Sequence, residues 1–306
     1  MLATPWPAPF DDDGWVFELK WDGVRCIATV VGGRLDLRSR RGNDMTLRYP
    51  ELIGVDLPDG TVLDGEIVAL DERGRPSFER LQGRMNRVPG VQETLTPVTY
   101  VIFDLLAMER SLVDAPLEER TARLSALELP APLIVADRYP GRSGPVWQFV
   151  LSQDLEGIVA KRLGSSYQPG VRSPDWRKIG NFKQLRAVVG GFSNGTGGRL
   201  STFGALLLGL YEGERLRWIG SVGSGFDDRA LAAIRAALDE MAVSECPFHP
   251  DAEMPKATTW VQPRLVAMVR YKQWTAAGRV RAPSFLGFTD DPVDAVTWDR
   301  EGPAAG

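Results

Sequence analysis

The sequence predicts an α+β chain, with antiparallel sheets and helices over residues 1–184 and a small β-barrel of the OB type over residues 185–306. Three observations carry this reading. Strand-like alternation and buried apolar runs, separated by short helical stretches, fill the first half. After Lys183 the pattern becomes strands joined by Gly-rich turns and interrupted by one helix, which suits a five-stranded barrel. At 306 residues the chain is long enough for two modest domains or one large one.

The elements follow in order. Residues 15–21 alternate strictly, with Trp15, Phe17, Leu19 and Trp21 on one face and Glu18 and Lys20 on the other. Strands at 24–31 and 34–40 flank Gly32-Gly33, a two-residue hairpin signal. In the second of these, Asp36, Arg38 and Arg40 point away from Leu35 and Leu37. Residues 61–70 and 98–106 read as buried strands that carry Asp64, Glu66 and Asp104 among apolar neighbours. A buried carboxylate without a partner is costly, which favours a role for Glu66 and Asp104. Helical spacing marks 77–87 and 116–128, the second opening near Asp114 and Pro116. Beyond the boundary near Gln184, strands are expected at 187–192, 203–211, 215–222 and 264–271, with a short one at 284–288. An amphipathic helix at 227–241 places Leu231, Ile234, Leu238 and Met241 on one stripe.

Composition bounds the function. With 43% hydrophobic and 25% charged residues, the chain has an ordinary globular make-up. It has no apolar run of about 18 residues, so no membrane span is expected. The start, Met1-Leu-Ala-Thr-Pro-Trp, lacks the basic and apolar regions of a signal peptide. Cys26 and Cys246 make neither a disulfide framework nor a zinc site, so a reducing, cytoplasmic location is expected. A net charge of -4 argues against binding nucleic acid by global basicity. Local clusters, Arg38 with Arg40 and Arg41, and Lys178 with Lys183, still permit a DNA partner held in a salt-sensitive way.

The chemistry concentrates at Lys20-Trp21-Asp22-Gly23-Val24-Arg25, which sets an amine, a carboxylate and a guanidinium around one tight turn. A free lysine is neutral in only roughly one molecule in 2,500 at pH 7. As a nucleophile it needs cationic neighbours or desolvation. Lys161 and Lys178 could supply that field, which would also stabilise a phosphoryl transition state.

Read in order, these pieces resemble the covalent nucleotidyltransferase superfamily, most closely the ATP-dependent DNA ligase module of bacterial non-homologous end joining. Lys20 to Arg25 is similar to the family's nucleophile motif, and Ser39-Arg40-Arg41-Gly42-Asn43 to its second. Leu63-Asp64-Gly65-Glu66, Phe103-Asp104, Glu156 to Lys161, and Asp175-Trp176-Arg177-Lys178 resemble the next four. Any one of these would be weak evidence; six in the family's order, covering residues 15–183, are specific. Val269 to Trp274 and Arg281 to Gly287 resemble the OB domain.

The resemblance implies an adenylation domain and a set of roles. Lys20 takes AMP from ATP, with Glu18, Arg25, Glu66, Phe103, Lys161, Lys178 and Lys183 binding the nucleotide. Within that set, Glu66 is expected on the ribose, Phe103 under the adenine and Lys178 on the α-phosphate. Arg40, with Arg41 beside it, contacts the 5′-phosphate of a nick. Glu156 and Asp22 place magnesium or manganese. The implied partners are nicked double-stranded DNA and a Ku-like end-binding protein or repair polymerase, with the chain acting as a monomer. The chain reads as a minimal two-domain ligase whose OB domain swings about the linker near residue 184. The competing functions are an RNA ligase or GTP-using capping guanylyltransferase, and a degenerate ATP- or DNA-binding scaffold.

Plainer readings stand beside these. Gly190-Gly191 and Gly195 to Gly198 lack a phosphate-loop ending and read as hairpin turns. Cys246 to His249 has no second metal-binding pair and reads as a loop. The tryptophans read mostly as core. Two departures matter. Gly180 stands where the fifth motif usually has a second lysine, leaving Lys183 as the nearest substitute. Thr289 and Asp291-Pro292 stand where the last motif usually has an arginine and an Asp-Lys pair, which help orient the leaving pyrophosphate. These departures imply slow self-adenylation, and a pre-steady-state rate typical of the family would contradict that expectation.

Overall fold

Three sheets and five helices build the computed structural model, which describes residues 1–85, 96–250, 254 and 258–303. The chain divides into two units, Met1–Asn181 and Phe182–Gly306. The first opens with β1 (Leu2–Pro5), β2 (Trp15–Leu19), β3 (Val24–Val31), β4 (Arg34–Ser39), β5 (Val62–Val68) and α1 (Phe78–Met85). It continues with β6 (Thr99–Met108), β7 (Arg110–Ser111), α2 (Leu117–Ser125), β8 (Leu133–Val135) and β9 (Tyr139–Pro140). α3 (Gly144–Ser152), β10 (Gly157–Arg162) and β11 (Arg172–Gly180) complete it. The second unit holds β12 (Lys183–Asn194), β13 (Phe203–Glu212), β14 (Arg215–Val222), α4 (Asp228–Glu240), β15 (Ala242–Val243), β16 (Thr258–Val261), β17 (Val266–Tyr271), β18 (Ser284–Thr289) and α5 (Trp298–Glu301). The helical reading at residues 86 and 87 lies outside the described residues.

One sheet of the first unit has the order β1-β11-β10-β2-β9. Successive side chains of a strand point to opposite faces, so its two sides differ. Trp15, Phe17, Ile158, Ala160 and Ile179 pack with Val146 and Val150 of α3. The other face carries Glu18, Val159 and Lys178 in register, and Val16, Lys161 and Trp176 in register. β2 ends at Leu19, so Trp21 does not continue the Trp15–Leu19 stripe; it packs with Val68, Val101, Ala136 and Phe103 instead.

The second sheet runs β4-β3-β5-β6-β7, with β8 alongside β6. Its β3–β4 turn is Gly32-Gly33, both at positive φ (58° and 69°), which a two-residue hairpin of the primed type requires. Leu81 of α1 and Leu124 of α2 seal its apolar side against Leu35, Leu37, Leu63 and Tyr100. Within this sheet Asp104 is no free carboxylate. Arg120 of α2 grips it through Nε (2.8 Å) and Nη2 (2.9 Å), and both side chains are fully buried. Arg120 also donates to the carbonyls of Ala115 and Ser165 (2.6 and 3.0 Å). Asp104 therefore fastens α2 to β6.

In the second unit β12 is the spine. One edge pairs with β13 over Val188 to Asn194; the other pairs with β17 over Lys183 to Val188 and with β16 over Gly191 to Ser193. A strand that changes partner midway must bend, and its register shifts between Val189 and Gly191. The Gly190-Gly191 pair is thus a bulge inside a strand rather than a hairpin turn. A Cβ at Gly190 would lie 2.6 Å from the Phe248 ring, so the close packing there requires glycine. Gly195 to Gly198 do join β12 to β13. α4 starts where Asp227 accepts a hydrogen bond from the Ala230 amide (2.7 Å), and it buries Leu231, Ile234 and Leu238. The sheet has seven strands, two more than the five anticipated, and its pairings among the described residues run from β14 through β12 to β15, with β17 and β18 branching off.

Removing one partner from a fully buried ion pair strands the other charge, which costs about 3–5 kcal/mol. Arg120→Met should lower unfolding free energy on that scale. Arg123→Met, which breaks the half-exposed pair with Glu119, should cost only about 0–1 kcal/mol. Urea denaturation of the two variants checks this; equal losses would contradict the role given to Asp104.

Candidate active site

The chain leaves β2 at Leu19, and the Lys20 amide donates to the Gly157 carbonyl (2.9 Å). That bond sets Lys20 at the head of β10, where Nζ meets Glu156 Oε1 at 2.6 Å. Two glycines make the approach possible. A Cβ at Gly23 would collide with the Ile67 carbonyl oxygen, and one at Gly157 (φ 142°) with that of Ile179. The Asp-Gly and Glu-Gly dipeptides are thus explained by backbone packing as well as by chemistry.

Lys20 borders a cavity of about 620 Å³, of a size for a small ligand, whose lining belongs to the first unit. It gathers nine of the twelve residues expected from sequence: Glu18, Lys20, Arg25, Arg40, Arg41, Glu66, Phe103, Lys161 and Lys178. Glu156 joins through its pair with Lys20. Asp22 lies in the turn between β2 and β3 and is not among the lining residues. Lys183 opens β12 in the second unit, opposite Tyr271.

Charge at the site is arranged in pairs. Lys161 Nζ lies 2.7 Å from Glu18 Oε2 and donates to the Phe103 carbonyl (3.2 Å), with only 2% of either charged side chain exposed. It also lies over the rings of Phe103 and Trp176, at 4.3 and 4.4 Å from their centroids. Burial pushes the Lys161 ammonium below the ordinary lysine range, while Glu18 and Asp104 oppose that shift. Glu18 has a second cation, Arg138, whose Nε is 3.4 Å from Oε1.

Arg25 is held by Asp64 through Nε (2.9 Å) and Nη2 (2.6 Å), and Tyr167 donates to the same carboxylate (2.8 Å). Burial opposes the Arg25 charge, but Asp64 more than compensates and keeps it above the usual guanidinium range. Glu66 differs. Burial pushes its carboxyl up to about 8, with Lys20 and Arg25 pulling the other way and Glu156 and Asp64 adding to the rise. Near neutral pH it keeps a proton and can donate a hydrogen bond.

Sequence reading missed Arg138 and Tyr167, and it set Trp176 inside a motif without giving it a role. β9 brings Arg138 in, since Phe17 pairs with Tyr139 and Val16 with Pro140, setting the preceding residue level with Glu18. No local motif signals this. In the second unit, Asp291 is gripped by Arg186 (2.7 Å), which also binds Glu301 (2.5 Å).

The paired sheets of the first unit, followed by a C-terminal OB-fold domain, place the chain among the nucleotidyltransferases. The family model of the ATP dependent DNA ligase domain matches residues 1–180, and that of the ATP dependent DNA ligase C terminal region matches residues 199–292. The chain belongs to the ATP-dependent DNA ligase family. It is 40% identical over 309 residues to the multifunctional non-homologous end joining protein LigD of Mycolicibacterium smegmatis, covering 98% of this chain and 39% of that relative. It is 38% identical over 285 residues to the corresponding Mycobacterium tuberculosis protein, covering 90% of this chain and 36% of the other. A solved structure of mycobacterial DNA ligase D complexed with ATP and MES is 33% identical, with a TM-score of 0.56 over 97% of this chain and 96% of that one.

The raised Glu66 carboxyl has a pH signature. The folded state keeps a proton up to about 8, whereas the ordinary value for the unfolded chain is 4.5. Its contribution to stability is therefore complete below about 4.5 and is lost as pH rises through about 8. Glu66→Gln should flatten the fall in unfolding free energy between about pH 5 and about pH 8. A urea series in which the variant falls as steeply as the wild type would contradict it.

Proposed function

We propose that the chain seals 5′-phosphate/3′-hydroxyl nicks in double-stranded DNA, using ATP and an AMP phosphoramidate on Lys20. The observation that carries this reading is the Lys20–Glu156 pair at 2.6 Å on a cavity that also holds Phe103, Glu66 and Lys178. In the first step Lys20 Nζ forms a bond to the ATP α-phosphorus. The ammonium first passes one proton to Glu156, which gives Nζ its lone pair. As it attacks, the bond to the bridging oxygen breaks, pyrophosphate leaves with that electron pair, and the second proton on nitrogen goes to solvent. In the second step the nick 5′-phosphate attacks the AMP phosphorus, and the amine departs with a proton. In the third the 3′-hydroxyl attacks the activated 5′-phosphorus and AMP leaves. Each step is an in-line displacement, so positioning and fixed positive charge supply most of the rate.

Phe103 is the platform for adenine, and Glu66, protonated near neutral pH, donates to the ribose. Glu18 accepts and Lys161 donates, which complements the six-amino group and N1 of adenine. Guanine would set its O6 against the carboxylate and its N1–H against the ammonium, so ATP is favoured over GTP. Lys178 meets the α-phosphate. Arg40 and Arg41, exposed at the rim, meet the nick phosphate and make binding salt-sensitive.

Glu156 and Asp22 are hard oxygen donors of the kind magnesium and manganese take. An ion there would be held by one or two carboxylates, water and phosphate oxygens, and it would neutralise charge on the phosphates. The chain spans 39% of the length of the first relative above, so end joining belongs to this proposal. So do a Ku-like or polymerase partner, action as a monomer, a cytoplasmic setting, and motion of the OB domain. Gln184, expected in the linker, is paired within β12, so the hinge of that motion belongs at Asn181-Phe182 instead.

Incubation with α-labelled ATP should leave acid-labile label on the denatured wild-type chain, and a nicked duplex should chase it. Lys20→Ala should lower capture by at least about a thousandfold. GTP and nicked RNA should serve poorly. Undiminished capture by Lys20→Ala, or no adduct on the wild type, would overturn the reading.

A further inference from the structure

We propose that Arg138 is a positioning residue for nucleotide selection: it fixes the direction of the Glu18 carboxylate, and so sets the preference for a six-amino purine. The inference rests on the lysyl-AMP reading above and extends it to a residue outside the cavity lining.

The geometry is that of one carboxylate between two cations. Glu18 is 2% exposed, with Oε2 on Lys161 at 2.7 Å and Oε1 3.4 Å from Arg138 Nε. Among the described residues Glu18 Oε1 has no hydrogen-bond partner, and neither do Arg138 Nε and Nη2. Arg138 is anchored from behind, because Nη1 donates to Ser125 Oγ at 3.2 Å. Pairing of β9 with β2 fixes its backbone. Arg138 therefore holds Oε1 by charge without a hydrogen bond to it, and with Lys161 on Oε2 it fixes how Glu18 is set in the cavity wall.

Removal of the guanidinium has a defined chemical consequence. The carboxylate would keep a single countercharge, and its second oxygen would sit buried without charge compensation. That cost is relieved when Glu18 turns wholly onto Lys161, which moves the carboxylate away from the exocyclic amine it would accept from. Arg138 thus works through Glu18, and its loss should weaken discrimination between an amino and an oxo group at the purine six-position.

The test uses the full chain as wild type, Arg138→Met, Arg138→Gln and Arg138→Lys, with ATP and inosine triphosphate as probes. Three quantities are read: the nucleotide concentration for half-maximal adduct on Lys20, the limiting adduct rate, and sealing of a pre-adenylated nick, which needs no free nucleotide. For Arg138→Met, half-saturation by ATP should rise about tenfold and the preference for ATP over inosine triphosphate should fall about tenfold, as expected for one lost charge-assisted contact. Its limiting rate and its sealing of the pre-adenylated nick should stay within about threefold of wild type. Arg138→Lys should restore most of the preference. If Arg138→Met does not fold, Arg138→Gln is read by the same criteria. An unchanged preference in the neutral variants, or an equal loss in all three quantities, would overturn the inference. Absence of adduct on the wild type would instead overturn the lysyl-AMP reading.

Discussion

The buried pair between Lys161 and Glu18 is the interaction on which the rest of the site depends. An isolated ammonium at that depth would cost several kcal/mol, and Lys161 is tolerated because a carboxylate, a carbonyl and two ring faces surround it. Those partners belong to different sheets. Glu18 is on β2 and Trp176 on β11 of the first sheet, while Phe103 is on β6 of the second. One cation therefore ties the two sheets across the cavity between them. Asp64 of β5 does a parallel job on the other side, joining Arg25 of β3 to Tyr167, which lies in the segment before β11. Ionic cross-links thus join strands beside the cavity, and polar walls of this kind suit a charged nucleotide.

Legibility in the sequence follows the distance between partners. The Gly32-Gly33 hairpin and the capped helix at Asp227 are local, and local chemistry specifies both. The lysine turn is local too, although Gly23 owes its identity to a carbonyl on β5 that the motif does not contain. Lys161 reads from sequence as a source of positive field; its partner Glu18 lies on another strand, so the pair appears only once β10 lies against β2. Arg138 arrives by the same route through β9. α3 escaped because its apolar residues surround the helix instead of forming a stripe. Val146 and Val150 are buried, whereas Phe149 and Leu151 are exposed. Gly190-Gly191 misled for a related reason, since a paired glycine in a bulge and one in a turn look alike until the Phe248 ring is in place.

The departures from the family's pattern acquire a physical meaning in the second unit. Asp291 sits where the last motif keeps its aspartate, but Arg186 of β12 holds it, and Glu301 takes the other side of the same guanidinium. That cluster sets two carboxylates against one cation. It offers no spare positive charge to a polyphosphate, and with Pro292 next to Asp291 the neighbouring lysine is gone as well. The segment is stapled to the sheet by these charges.

Three carboxyl groups on neighbouring strands show what separates a structural acid from a working one. Asp64, Glu66 and Asp104 all stand among apolar residues of β5 and β6, and by composition they are equivalent. Asp64 is answered by Arg25 and Tyr167, and Asp104 by Arg120, with hydrogen bonds of 2.6 to 2.9 Å in each case. Their charge is spent inside the protein. Glu66 lines the cavity, and the burial that raises it to about 8 leaves it protonated and able to donate near neutral pH. A buried acid satisfied from within holds the fold together, whereas Glu66, only half-buried, lines the cavity instead. Burial alone therefore does not mark a functional carboxyl; the direction it faces and the partner that answers it do.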